Sequence, residues 1–236
     1  MNDLVEKIDL QIEKYSLLKH IFYKMWSEGK LTRDHLKGYS KEYFQLVKAV
    51  PQFVENIFCL ASDLSIRAAV KENLNEEAHH TEPWIDFAVA LGVRRREILS
   101  YHAGNKTNEA ITQLNKLTTS SLQEAVGAMY AYEMQLPKIS RTKIDGLNKF
   151  YRTNNNDVNE KMTRYFQIHE EADLRHAQVW RQMLQNIYET NEEQGALYAA
   201  TRSLEAQNKL LDSVQEKYVD PFYCNSIHNN NNNNNN

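Results

Sequence analysis

His169-Glu170-Glu171-Ala172-Asp173-Leu174-Arg175-His176 reads as the middle of one helix, because residues 157–188 contain neither Gly nor Pro. At about 3.6 residues per turn, residues spaced by four and seven fall on one face. His169, Asp173 and His176 therefore stack along one side, a face continued by Met162, Tyr165 and Trp180. Glu170, Glu171 and Arg175 point elsewhere. Two imidazoles and a carboxylate are thus aimed into an otherwise apolar core, where an unpaired charge is very costly. A metal ion would satisfy them; so would a buried hydrogen-bonded network, and this helix alone does not choose between the two.

The rest of the composition favours long helices. Only 7 Gly and 4 Pro punctuate 236 residues, among ample Leu, Ala, Glu, Lys and Gln. No Gly-rich phosphate loop is present, which disfavours nucleotide-binding α/β folds. A formal charge of -3 gives no case for nucleic acid or a membrane surface. Cys59 and Cys224 lie far apart and suggest a reducing compartment without a disulfide framework. Asp3, Glu6, Lys7 and Asp9 interrupt the N-terminus, unlike a signal peptide, and no apolar run approaches the roughly 20 residues that span a bilayer. The expectation is a soluble, cytoplasmic protein.

Taken in order, a first helix is expected over 3–27, ended by Gly29. Thr32 is a natural N-cap for the next, which carries Leu36, Tyr39, Tyr43, Phe44 and Val47 and should break or kink at Pro51. Helices follow over 51–62 and 63–80, then a short one starting near Pro83 and closed by Gly92. Arg94, Arg95 and Arg96 read as a solvated turn. Residues 101–107 read as a loop and 107–117 as a helix. Ser121 and Glu124 form a capping box opening a helix over 121–151, bent at Pro137. The last helix covers 191–217. The reading is an all-α helical bundle forming one domain over 1–220, with a disordered tail over 221–236 that ends in an unbroken Asn run.

Two carboxylate-x-x-His elements stand out, Glu77 to His80 and Asp173 to His176. Helical di-metal proteins build core sites from this element twice, adding single carboxylates from other helices. Glu133 is the best such carboxylate, since its helix is otherwise so apolar. With His169 the candidate ligand set is Glu77, His80, Glu133, His169, Asp173 and His176. Two divalent ions would outweigh the three carboxylates, favouring hydroxide or another anion at an open position. Mixed nitrogen and oxygen ligation suits iron or manganese and oxygen chemistry better than a closed zinc site. Glu76 and His79 compete with Glu77 and His80 for the ligand positions. A surface pair at Glu77 and His80, or a salt bridge from Glu133 to Lys138 or Arg141, is the ordinary alternative for each part.

The chain resembles the chlamydial protein associating with death domains and its relatives, the self-sacrificing para-aminobenzoate synthases. These are haem-oxygenase-like di-metal oxidases, related to thiaminase-II-like proteins and to pyrroloquinoline-quinone biosynthesis protein C. The resemblance runs to about Pro221. It rests on Phe22-Tyr23-Lys24-Met25-Trp26-Ser27-Glu28-Gly29-Lys30-Leu31-Thr32, on Tyr130-Ala131-Tyr132-Glu133-Met134-Gln135-Leu136-Pro137, and on the His169 to Ala177 block. It implies a seven-helix bundle around a dinuclear iron or mixed manganese–iron centre on those six ligands. It also implies a need for oxygen and an external reductant. The implied product is 4-aminobenzoate, a folate precursor, whose ring comes from Tyr23 and whose nitrogen comes from Lys143. Tyr132 and Tyr165 match tyrosines near the metals that relay radicals or electrons. Between the Glu77 and His80 positions the chain is about one turn shorter than the chlamydial pattern, which keeps the face. On an ideal helix Lys143 lies roughly 80° around from Glu133, so a bend at Pro137 is needed to bring it in.

Two other functions compete. A multi-turnover di-iron oxidase of a free amine or fatty-acid-like molecule would use the same ligands. A metal-free death-domain-type interaction module is suggested by the relatives' name alone. A metal-free hydrolase is disfavoured, since Cys59 reads as core rather than nucleophile. Helical bundles of this kind often pair through an apolar face, which suggests a homodimer.

Overall fold

The computed structural model describes residues 3–187 and 190–220. The expected disordered tail, with Cys224, lies outside the described residues. No strand occurs among them, and the helices surround one large apolar core running from Leu4 to Val214. The all-α expectation holds, although helix boundaries differ where tertiary contacts override local propensity.

The expected first helix is three pieces: α1 (Asp3–Lys14), a 3-10 turn (Leu17–Lys19) and α2 (Ile21–Ser27). His20 is extended and its Nδ1 accepts the Phe22 N–H, restarting the helix. The buried Leu17 N–H donates to the Gln135 side chain, so a distant residue stabilises the break. The new heading buries Phe22, Tyr23 and Trp26.

Helix α3 (Arg33–Leu60) begins with a reciprocal cap between Thr32 and His35 and continues through Pro51 as one element. Of the break or kink expected there, the break does not occur. Val47, Val50, Phe53, Val54 and Ile57 are all buried around it, and that packing outweighs the loss of one backbone hydrogen bond. Cys59, near the end of α3, is exposed, which corrects its assignment to the core.

Helix α4 (Leu64–Glu77) is capped by the Asp63 side chain, and α5 (Thr81–Leu91) ends on Gly92 at φ 99°, a left-handed turn that glycine adopts without strain. The helix expected over 63–80 therefore stops at Glu77. His80 is the N-cap of α5 but keeps right-handed backbone, so the local three-residue spacing survives the corner. Short α6 (Arg95–Leu99) carries the arginine cluster on the surface, where Arg95 pairs with Glu82.

Helix α7 (Asn105–Ser120) leads to α8 (Leu122–Glu133), where Ser121 accepts the Glu124 N–H. The rod expected over 121–151 is split. Helix α9 (Leu136–Gly146) starts afresh after Met134 and Gln135, with Pro137 in its first turn, where a missing N–H costs nothing. A π-helical turn (Leu147–Tyr151) follows. A Cβ on Gly146 would lie 2.5 Å from the Trp26 ring, so glycine lets α2 and α9 approach closely.

Helix α10 (Asn156–Gln185) is capped by Asn155, and α11 (Thr190–Val214) packs most extensively on α8. There, a Cβ on Gly127 would collide with the Ala196 carbonyl at 2.3 Å. A second π-helical turn (Gln215–Val219) ends the described chain. At the heart of the bundle Trp84 meets Tyr39, Tyr43, Phe87, Tyr165 and Phe166, and its indole N–H donates to Ser40 O at 2.8 Å.

Candidate metal centre

All six sequence-predicted ligand residues are brought together, and none exposes more than 6 % of its surface. Glu77 comes from the last turn of α4, His80 from the corner, Glu133 from the end of α8, and His169, Asp173 and His176 from one face of α10. Two clusters share Glu77: potential ligand atoms of Glu77, His80 and His169 lie within 4.8 Å of one another, as do those of Glu77, Asp173 and His176. Glu133 Oε2 lies 3.9 Å from His176 Nδ1, beside the second cluster. Arg141 pairs with Glu170, while Glu133 accepts the Trp180 indole N–H at 2.5 Å.

The register left open by the sequence takes one form here. Glu77 and His80 face inward. Glu76 is half-buried, 3.0 Å from His176 Nε2, and His79 is exposed beside the Asn75 carbonyl. Adjacent helical residues diverge by about 100°, which separates Glu76 from Glu77; His79 and His80 sit at the corner after α4, where only His80 is buried.

His169 Nδ1 lies 2.9 Å from the Tyr165 carbonyl. A carbonyl only accepts, so Nδ1 carries the proton and Nε2 keeps its lone pair. His80 Nδ1 lies 3.1 Å from Glu77 Oε2. Three buried atoms, Glu133 Oε1, Asp173 Oδ2 and His176 Nδ1, have no hydrogen-bond partner. Orphaned buried oxygens and an orphaned imidazole nitrogen are costly as they stand, and cations between them would satisfy all three.

The electrostatics agree. Burial, with the charge of Glu77, pushes Glu133 up to about 8 against the pull of His176. Burial together with Glu133 and Glu77 raises Asp173 well above the carboxylate range. Burial also opposes ionisation of Glu77, but contacts with His176 and His80 outweigh it and hold Glu77 low. His169 is pushed down to about 4 by burial. Clustered acids retain protons without cations, and bound divalent ions would reverse that balance. The donor set fits a dinuclear metal centre.

Lys143, which feels the charge of Asp173, sits in a buried aromatic box. Lys143 is 2 % exposed despite its place on α9. Its Nζ lies 5.2 Å from the Tyr23 ring centre, 5.3 Å from Tyr39, 5.0 Å from Tyr43 and 4.9 Å from Phe166. Burial brings its ammonium down to about 7, resisted by Asp173. Tyr23 and Tyr39 hydroxyls are 3.4 Å apart, and burial holds the Tyr23 phenol well above its ordinary range. Tyr165 stacks on His169 at 4.0 Å, and Tyr132 is buried in the same core. Sequence reasoning had Tyr39, Tyr43 and Trp180 only as apolar-face residues, and gave Phe166 no role.

A family model described as an iron-containing redox enzyme matches residues 42–208. A protein named 4-aminobenzoate synthase from Chlamydia pneumoniae is 35% identical over 192 residues, covering 79% of this chain and 84% of that one. One of the same name from Nitrosomonas europaea is 33% identical over 242 residues, covering 94% and 95%. A solved domain with a heme oxygenase-like fold from Shewanella denitrificans superposes with a TM-score of 0.76 at 20% identity, covering 91% of each chain. The chain belongs to the iron-containing redox enzyme family of haem-oxygenase-like fold, in the branch that holds these synthases. It is an enzyme of the oxidase class. No helix among the described residues is long and apolar enough to cross a membrane.

Proposed function

We propose that this protein is an oxygen-dependent dinuclear-metal oxidase that makes 4-aminobenzoate from its own Tyr23, with Lys143 as nitrogen donor. One observation carries the reading: a buried amine lies against the ring of a buried tyrosine, beside a cluster of buried metal-type ligands. Relatives named 4-aminobenzoate synthase support it.

The chemistry dictates what the residues must do. In 4-aminobenzoate the ring carries one carbon, as a carboxyl, and nitrogen opposite it. A tyrosine side chain supplies both ring and carbon if its Cα–Cβ bond breaks and nitrogen replaces the phenolic oxygen. Lys143, with its affinity for protons lowered to about 7, holds a substantial neutral-amine fraction near neutral pH, the form with a lone pair. Tyr39 holds the Tyr23 hydroxyl. The Trp26 indole donates to the Lys143 carbonyl at 3.3 Å, tying the element that carries Tyr23 to the one that carries Lys143. Tyr132 and Tyr165, both buried, would relay electrons toward Tyr23. Glu77, His80, Glu133, His169, Asp173 and His176 would hold iron, or manganese with iron. That centre, with oxygen and an external reductant, supplies the oxidising power. Each molecule then acts once.

A cavity of about 630 Å³ reaches His80 from the surface between α4 and α10, lined by Glu76, His79, Arg164, Glu171 and Arg175 among others. It favours a second reading, turnover of a free polar amine. Tyr23→Phe separates the two. The self-sacrifice reading expects no 4-aminobenzoate from this variant at unchanged metal content; sustained product would exclude it.

A further inference from the structure

We propose that Glu76 is a positioning residue of the centre: it holds His176 so that Nδ1 points at the metal positions. This rests on the dinuclear reading above. Glu76 and Glu77 are consecutive in the last turn of α4, and their roughly 100° divergence gives them different tasks. Glu77 enters the cluster. Glu76 stays at the rim of the cavity and reaches the other edge of the same imidazole, its Oε2 3.0 Å from His176 Nε2.

The consequence for His176 is a choice of tautomer. A carboxylate only accepts, so the shared proton sits on Nε2 and the lone pair of the neutral ring sits on Nδ1. That nitrogen has no hydrogen-bond partner and lies 3.4 Å from Glu77 Oε1, 3.9 Å from Glu133 Oε2 and 4.0 Å from Asp173 Oδ1. In the neutral ring that would bind an ion, the lone pair is therefore turned toward the three carboxylates that would share that ion with it. Arg175, one residue before His176, donates to the same Glu76 oxygen at 2.9 Å and pins the carboxylate from the solvent side. His169, by contrast, is oriented by a neutral carbonyl within its own helix. A carboxylate behind a ligating imidazole fixes the ring and raises its basicity, and loss of such a partner typically costs about 10–100-fold in metal affinity.

The test is anaerobic Fe2+ titration of metal-free protein against a competing chelator, for wild type, Glu76→Ala, Glu76→Gln, Glu77→Gln and Glu72→Ala, with helical circular dichroism confirming each fold. Glu76→Ala is expected to weaken one of two ions by about 10–100-fold and to shift the visible bands of a Co2+-loaded sample. Glu76→Gln, which keeps an acceptor, should lose less than Glu77→Gln. Glu72, exposed on the same cavity wall, should be neutral. Wild-type affinity in Glu76→Ala would overturn the proposal, and so would a loss in Glu76→Gln equal to that in Glu77→Gln, which would make Glu76 a ligand. Wild-type protein that takes up no iron would instead sink the dinuclear reading, and this inference with it.

Discussion

Lys143 Nζ lies 5.2 Å from the centre of the Tyr23 ring, although the two residues sit on separate helices and 120 positions apart in the chain. Two helix breaks produce the meeting. His20 restarts the chain as α2 and turns Tyr23 inward; the interruption at Met134 and Gln135 restarts it as α9 and re-phases Lys143 relative to Glu133. Gln135 links the breaks, since its side chain accepts the Leu17 N–H.

Replacing Lys143 with arginine keeps a cation but supplies no primary amine and brings a larger head group. Lys143→Arg is expected to retain two metal ions per chain and to release no 4-aminobenzoate, read by metal analysis and product assay on one sample. Normal product would remove Lys143 as donor.

Burial of Lys143 also predicts a pH signature in metal-free protein. Its proton affinity falls from the ordinary 10.5 to about 7 on folding, so the unfolded chain binds more protons between those values. Stability should rise with pH across that window, by at most about 1.4 kcal/mol per unit, and the penalty is full below it. Lys143→Met should therefore melt above wild type near pH 6, and its advantage should shrink toward pH 10. A constant difference across that range would contradict the assignment.

Trp180 supplies the indole N–H that Glu133 accepts at 2.5 Å. Trp180→Phe should cost metal-free protein about 1–3 kcal/mol in denaturant unfolding and weaken metal binding by about 10–100-fold. Metal affinity equal to wild type would show that Glu133 needs no such support.

Much of this architecture was legible, for physical reasons. Sparse Gly and Pro announced long helices, and the spacings within α10 are local, so His169, Asp173 and His176 could be placed on one face from periodicity. What eluded the sequence depends on distant partners. Pro51 reads as a breaker until the packing around α3 is seen, and the breaks near His20 and Gln135 are joined by a hydrogen bond between residues 118 positions apart. Propensity cannot say which of Glu76 and Glu77 faces in, because both lie in one helical turn and packing selects between them. Cys59 has a core-type side chain, but its place near the end of α3 leaves it uncovered.

A second buried acid tests the frame away from the metals. Glu42 is fully buried and accepts from Tyr101 at 2.5 Å, Lys217 at 3.0 Å and the Gly104 N–H at 3.2 Å. Burial opposes its ionisation, but these donors prevail and hold it below the ordinary 4.5. Its contribution is therefore present above that pH and lost as pH falls through the lower folded value. Glu42→Gln should destabilise the protein by about 1.5–3 kcal/mol at neutral pH and by progressively less in acid. An equal loss at both would mean the charge is not what matters.

The central claim is that the protein consumes its own tyrosine. Iron- and manganese-loaded protein, grown with ring-labelled tyrosine, should be weighed intact before and after exposure to oxygen and a reductant, with the small-molecule fraction assayed alongside. Loss of one tyrosine side chain mapped to Tyr23, matched by labelled 4-aminobenzoate in equal amount, is the predicted result. Oxygen consumption with unchanged protein mass would contradict it and point to an external substrate.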